Sequence, residues 1–176
     1  MYDLKKISEI DRMYEEYFGR IYNYVFYRIL HREYSEDIVS EIFLKVISNR
    51  DKFDSSKALF STWIFTIANN CVIDHFRKNS RIVVFPSGAP ALDTPVTVDF
   101  DGECEKILNN DRKLLYKALT LLDEKHRHVI SLKYFSGLSN KEISEMTGIN
   151  ESTVSTICSR AISKLRSIFK TNENNF

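Results

Sequence analysis

The stretch from Gly137 to Phe169, GLSNKEISEMTGINESTVSTICSRAISKLRSIF, decides the fold. Ser139 followed three positions later by Glu142 forms a capping box, which starts a helix by pairing backbone N–H groups that the first turn leaves without partners. Gly148 sits where a left-handed helix stop is needed, and Asn150 can cap a final helix from about 151 to 169. Apolar Ile143, Met146, Ile149, Val154 and Ile157 fall at spacings that hold the pair together. Helix, glycine-containing turn and helix predict a helix-turn-helix, whose second helix can enter a DNA major groove.

Upstream of it, LLYKALTLLD and DEKHRHVISLKYF also read as helical, so 111–176 is one helical domain. Residues 83–110 hold all three prolines, Pro86, Pro90 and Pro95, and two of the five glycines, and read as a flexible linker. Before the linker, Ile10, Met13, Tyr14, Tyr17, Phe18, Ile21, Tyr22, Val25, Phe26 and Ile29 recur at spacings of three and four, the pattern of a long amphipathic helix. Ser35 is placed to cap a second helix with Glu36 and Asp37 in its first turn, ending near Arg50. RDKFDSSKALFS then reads as a loop, and TWIFTIANNCVIDHFRK resumes a helical pattern. The expected fold class is all-α: two small helical domains, 1–82 and 111–176, joined by the linker 83–110, the C-terminal one a helix-turn-helix.

Composition agrees. In 176 residues, 43% hydrophobic content suffices for a packed core, and five Gly with three Pro are too few for a many-turned β-sandwich. The net charge of +1 divides into +1 for 1–82, −4 for 83–110 and +4 for 111–176, so a near-neutral total hides an acidic linker and a cationic C-terminal segment. Cys71, Cys104 and Cys158 are odd in number and far apart, with no secretory signal ahead of them, which suits a reduced cytoplasmic setting. No apolar run approaches the ~20 residues that span a membrane, so no membrane insertion is expected.

Catalytic signals are missing. There is no Gly-x-Gly-x-x-Gly, no phosphate-binding Gly-Lys-Ser/Thr loop and no Gly-x-Ser-x-Gly, and no cofactor is implied. Cys71 and His75 lie four apart, but two ligands do not close a metal site, and a buried thiol beside a satisfied histidine is the simpler reading. His126 and His128, two apart, face different sides of a helix and read as surface histidines.

Two tracts invite partners instead. EDIVSEIFLKV sets Asp37 and Glu41 on one helical face beside apolar Ile38, Ile42 and Val46, an acidic edge suited to a cationic partner. FSTWIFTIANNCVIDHFRKNSR mixes aromatics with Asn69, Asn70, Arg77, Lys78 and Arg81, groups that can stack on unpaired bases and grip the phosphates beside them. Trp63 is divided between burial and base contact, whereas Phe53 and Phe60, flanking a polar loop, are the better candidates to touch an extruded base.

These residues resemble the extracytoplasmic-function type of bacterial RNA polymerase sigma factor. Asp37-Ile38-Val39 with Glu41-Ile42-Phe43-Leu44 is similar to the family's polymerase-binding motif. Phe60-x-x-Trp63-Ile64-x-x-Ile67-Ala68-x-Asn70-x-x-x-Asp74-x-x-Arg77-Lys78 is similar to its promoter-melting motif. Leu122-Asp123-x-x-x-Arg127-x-Val129-Ile130, Glu142-Ile143-Ser144-Glu145, Thr153-Val154 and Arg160-Ala161 are similar to its second DNA-binding domain.

The resemblance implies a factor that is not itself an enzyme, with core RNA polymerase and promoter DNA as partners and an anti-sigma factor as a further partner class. It implies polymerase binding through Asp37, Glu41 and Phe43. Melting and minus-10 non-template strand contact would fall to Phe53, Ser55, Ser56, Lys57, Phe60, Trp63 and Asn70, with Arg77, Lys78 and Arg81 on the backbone. Duplex minus-35 readout would use Glu151, Ser152, Thr153, Ser155, Thr156, Arg160 and Lys164. The acidic linker would thread toward the polymerase cleft. Two departures stand out: Ser40 where many members carry Gln, and Ser155-Thr156-Ile157 where Lys-Ser-Arg is common, which should weaken phosphate attraction by roughly 1 kcal/mol per lost cation. The competing readings are a stand-alone helix-turn-helix regulator, which leaves the polar aromatic loop unexplained, and a metal-dependent nuclease, which lacks a carboxylate-histidine cluster.

Overall fold

The computed structural model describes residues 7–79, 83–84, 90–91 and 106–173. Its first domain is three helices, α1 (Ile7–Ile29), α2 (Arg32–Ser48) and α3 (Phe60–Asn79), with a 3₁₀ turn at Arg50–Lys52. The second contains α4 (Asn110–Thr120), α5 (Glu124–Ile130), a π-helical turn at Ser131–Phe135, α6 (Asn140–Thr147) and α7 (Glu151–Glu173). Both domains are helical as expected. The linker adds one short antiparallel ladder, β1 (Val83–Val84) against β2 (Pro90–Ala91), paired Val83 to Ala91 and Val84 to Pro90. Among the described residues, no helix is long and apolar enough to cross a membrane.

Helix α1 is the column on which both domains lean. Met13, Tyr17, Ile21, Tyr24 and Val25 are buried at helical spacing against the first domain, and Tyr27 and Leu30 are buried in a cluster built mainly from the second. The two domains also share a core, because Val129, Leu132, Leu138, Ile143, Val154 and Ile157 join the cluster that holds α1, α2 and α3 together. Sequence periodicity left the relative placement of the domains open; the structure packs them face to face.

Helix α1 ends abruptly. Leu30 adopts φ +61, a left-handed conformation that costs a side-chain-bearing residue about 1–2 kcal/mol, and its fully buried side chain together with a 2.7 Å bond from the Tyr116 hydroxyl to its carbonyl offsets that cost. The chain then extends at His31 (φ −141, ψ 123), which caps α2 by accepting from the Tyr34 N–H. This corrects the expectation for Ser35. Because the chain reverses direction at Leu30, the helix starts one turn early; Ser35 lies inside it, buried, its hydroxyl donating to the His31 carbonyl at 2.6 Å.

In the second domain the capping box is formed: Ser139 accepts from the Glu142 N–H while Glu142 accepts from the Ser139 N–H at 2.8 Å. Gly148 takes φ +71 at the end of α6, the left-handed stop. A second left-handed glycine, Gly137 at φ +71, follows the π-helical turn and turns the chain into α6.

Candidate nucleic-acid and partner surfaces

Three surfaces collect the residues singled out above. The first is a cavity of about 290 Å³ between α2 and α3. Helix α3 supplies Trp63, Ile67 and Asn70, spaced so that they share a face; the end of α2 and the following turn supply Lys45, Asn49 and Lys52. Asn70 is exposed and Trp63 half-buried, so one wall is aromatic and the rim carries two ammonium groups and two amides. Lys45 is tied to Glu41 at 2.7 Å, and that hydrogen bond, ahead of the opposing effect of burial, raises its pKa. A planar heterocycle could lie against Trp63 with its edge toward Asn70 and a phosphate near Lys52. Lys45, Asn49 and Lys52 carry no signal of this site in the sequence, because only the folded corner of α2 brings them opposite α3.

The loop before α3 is built differently from the expectation. Phe53, Phe60 and Trp63 form a mutual cluster with ring centroids 5.2 to 5.5 Å apart, and Phe60 also meets Tyr17 edge-on at 5.4 Å. Phe53 and Phe60 are half-buried supports of Trp63. The polar tip is ordered by Asp54, whose carboxylate accepts from the Ser56 N–H and hydroxyl at 2.9 and 2.7 Å and pairs with Lys57 at 3.3 Å. The Ser56 hydroxyl, followed by its N–H and by Lys57, holds that carboxyl below its ordinary range. Ser55, Ser56 and Lys57 are exposed on this tip. At the far end of α3, Arg77 and Lys78 are exposed, Arg77 near Asp74 at 3.6 Å, while Arg81 lies outside the described residues.

The second surface is on α2. Asp37 is exposed, Glu41 is half-exposed, and Leu44, one turn further along the helix, is 66% exposed. Phe43 is not part of that surface: it is buried beneath Tyr14 and Phe18, at 4.7 and 6.3 Å between ring centroids. One helix face cannot point both inward and outward, and position 43 continues the inward row of Val39 and Val46.

The third surface is α7. Glu151, Ser152, Thr153, Ser155, Thr156, Arg160 and Lys164 are all exposed, and Val154, Ile157, Ala161 and Leu165 are all buried, so the polar face is presented whole. Ile157 therefore belongs to the core, and of the two departures from the basic pattern only Ser155 removes a cation from the presented face.

Between the first and third surfaces runs a polar seam. The Arg28 guanidinium, 2% exposed, pairs with Glu124 of α5 and lies over the Phe76 ring. The Asn69 side-chain oxygen accepts from the Tyr24 hydroxyl at 3.1 Å and sits 2.9 Å from His128 Nε2. Thr62 donates to Glu142 at 2.6 Å, and Arg20 donates to the Ser136 carbonyl. Two expectations are corrected here. Asn69 is buried and faces the second domain, unlike its exposed neighbour Asn70. His128 is no surface group: burial, and secondarily the charge of Arg28, pushes its pKa well below the ordinary value. Its partner in sequence, His126, instead binds the capping carboxylate of Asp123 at 2.6 Å. Among the described residues, no three His, Cys, Asp or Glu side chains could together hold a metal ion, and Cys71 is a buried free thiol.

Residues 13–82 match the sequence family described as Sigma-70 region 2, and residues 118–167 match Sigma-70, region 4. The ECF RNA polymerase sigma factor SigK of Mycobacterium tuberculosis is 30% identical over 157 residues, covering 87% of this chain and 81% of SigK. The ECF RNA polymerase sigma factor BldN of Streptomyces coelicolor is 30% identical over 154 residues, covering 88% of this chain, which spans 58% of that relative's length. In fold, the chain is similar to the sigma factor RpoE of Bartonella quintana in its complex with the anti-sigma factor NepR, with a TM-score of 0.68 at 18% identity over 93% of this chain and 98% of that one.

Proposed function

This chain belongs to the extracytoplasmic-function group of sigma-70-type RNA polymerase sigma factors, and from that membership we propose how its surfaces share the work of starting transcription. A sigma factor joins core polymerase, directs it to specific promoters and assists their melting. The observation that carries the residue assignment is the cavity between α2 and α3, which sets an aromatic wall, an exposed amide and the cations Lys45 and Lys52 together on the segment that matches region 2.

Asp37, Glu41 and the exposed Leu44 form the polymerase-facing edge, where charge sets orientation and encounter rate more than affinity. Phe43 supports that edge from below. An extruded minus-10 base enters the cavity against Trp63, with Asn70 reading its edge and Lys52, Lys57, Arg77 and Lys78 along the strand. Unstacking a base costs a few kcal/mol, which stacking and phosphate contacts can offset without ATP. Phe53 and Phe60 hold Trp63 in place. The face of α7 from Glu151 to Lys164 reads the minus-35 major groove. We divide the chain into 1–82 for polymerase and the minus-10 element, 83–110 as the acidic linker, and 111–176 for the minus-35 element. The protein performs no catalysis of its own, works in the cytoplasm where its polymerase is, and has an anti-sigma factor as a further partner, a role we carry over from the structural relative bound to NepR.

Run-off transcription with purified core polymerase on genomic fragments tests the reading. Promoter-specific transcripts that depend on this chain are expected. Duplex binding without any polymerase-dependent transcript would instead favour a stand-alone regulator, a reading that leaves the match of residues 13–82 without a use.

A further inference from the structure

We propose that a cavity between α1 and the start of α4 binds a free nucleoside phosphate, with its base against Tyr22 and Phe26 and its phosphates among Arg32, Lys106 and Arg112. The site lies apart from the three surfaces described above and does not depend on the promoter reading.

The cavity encloses about 310 Å³, at the lower end of the range in which proteins hold small organic ligands. One wall is aromatic. Tyr22 and Phe26 fall one turn apart on α1, half-buried, with ring centroids 5.9 Å apart and planes only 5° from parallel, so together they offer a flat, partly open face. Edge-on contact of Phe26 with Tyr27 at 5.2 Å, and a tilted contact with Tyr116 at 5.8 Å, fix that face from behind. The segment entering α4 supplies Ile107 and the almost wholly exposed Leu108 as the apolar surface of the other side. A purine or pyrimidine ring gains from both.

Charge decides the rest of the ligand. Arg32, Lys106 and Arg112 line the cavity and are exposed, and among the described residues no Asp or Glu side chain joins them in the lining. Glu36 holds Nε of Arg32 at 2.8 Å, but both members of that pair are half-exposed or more, and an ion pair so solvated is weak enough for a phosphate to compete with it. Arg112 reaches the inner wall. Burial pushes the Tyr27 hydroxyl up in pKa and the charge of Arg112 pulls against it, which places the guanidinium beside Tyr27. The backbone N–H of Arg112 is bound by the Asn109 side-chain oxygen at 2.9 Å, so its side chain projects from a capped first turn. Two guanidinium groups, each able to hold two phosphate oxygens, and one ammonium match the polyanionic tail of a nucleoside diphosphate. A neutral planar ligand would leave three cations unused, and inorganic phosphate would leave the rings uncovered. The amides of Asn23 and Asn109, also in the lining, can pair with the base edge or the sugar.

Isothermal titration of the free chain with ADP and with inorganic pyrophosphate separates the two halves of the ligand. ADP should bind with a dissociation constant below about 1 mM, and pyrophosphate, which lacks the ring, should bind on the order of tenfold more weakly or worse. Arg112→Glu should weaken ADP binding by about tenfold or more; its new carboxylate sits in the first turn of α4, where acids suit the helix dipole, so the fold is kept. Lys117→Glu makes the same charge change five residues further along the same helix, outside the cavity, and should leave the ADP affinity unchanged. Absence of saturable ADP binding to the folded wild-type chain overturns the proposal. So does pyrophosphate binding as tight as that of ADP, or an equal loss in the two variants, which would mean a diffuse cationic surface. Should Arg112→Glu fail to fold, the side-chain amide NMR signals of the wild-type chain decide: ADP should shift those of Asn23 and Asn109, and shifts confined to Asn70 or to α7 would place the nucleotide on the nucleic-acid surfaces and overturn the site.

Discussion

Asn69 and Asn70 are neighbours with opposite fates, and the difference is helical phase. Successive residues on a helix point about 100° apart, so one amide faces the second domain and the other faces the cavity. Asn70→Ala should therefore impair promoter opening by roughly 1–3 kcal/mol, the scale of one base contact, and leave core binding unchanged. Permanganate footprinting beside a core-binding titration reads the two apart; equal loss in both would make Asn70 a structural residue. His128 shows the limit of reading residues singly. Its polar side chain in a short helix looked solvent-facing, and nothing local marks it as covered, because the cover comes from α1 and α3. Its pKa in the folded chain lies below the ordinary 6.5, so the unfolded chain takes up the proton first. Its contribution to stability is full above about pH 6.5 and declines as pH falls below it. Glu124, raised by burial, acts with the opposite sign, favouring the folded state on acidification, and Arg28 faces both groups. The contribution of His128 is therefore the difference between wild type and His128→Gln in unfolding free energy from about pH 7.5 to 5.5, read by urea denaturation: the variant should lose the part of the destabilisation that appears below about pH 6.5, and identical profiles would remove His128 from the seam.

At the scale of elements, the helices that carry their own start and stop signals were readable and the one governed by its neighbour was not. The capping box at Ser139 and the left-handed Gly148 are written in α6 itself, and both formed. The start of α2 lies one turn before the position Ser35 suggests because it is set by Leu30, an aliphatic residue held left-handed by burial and by Tyr116 from across the chain, against its intrinsic preference. Glu142 does two jobs. Burial alone would raise its carboxyl, but hydrogen bonds from Ser139 and Thr62 outweigh it and hold the pKa below the usual range. Ser139→Ala removes the cap and keeps the Thr62 bond, so it should cost about 1 kcal/mol, lowering the melting temperature by about 2–4 °C in a chain of this size. Thermal denaturation followed by circular dichroism checks it. A much larger loss would mean that the box also sets the seam.

For the whole molecule, composition and charge distinguish the segments, while the assembly of the segments depends on contacts no periodicity reveals. An apolar stripe says that a helix is covered without saying by what, and α1 carries two such stripes, one for each domain. The sequence pattern therefore supported two independent cores, whereas Val129, Leu132, Leu138, Ile143, Val154 and Ile157 complete the core of the first domain. Shared burial has a thermodynamic consequence. If the second domain supplies part of the first domain's core, neither can melt without exposing the other, and the chain should unfold in a single calorimetric transition with equal calorimetric and van't Hoff enthalpies. Glu124→Arg sets a third cation against Arg28 and Arg127 and should lower the midpoint of that single transition, while the shared apolar core keeps the two domains melting together. Two transitions already present in the wild-type chain would mean that the common core is a contact between separately stable domains.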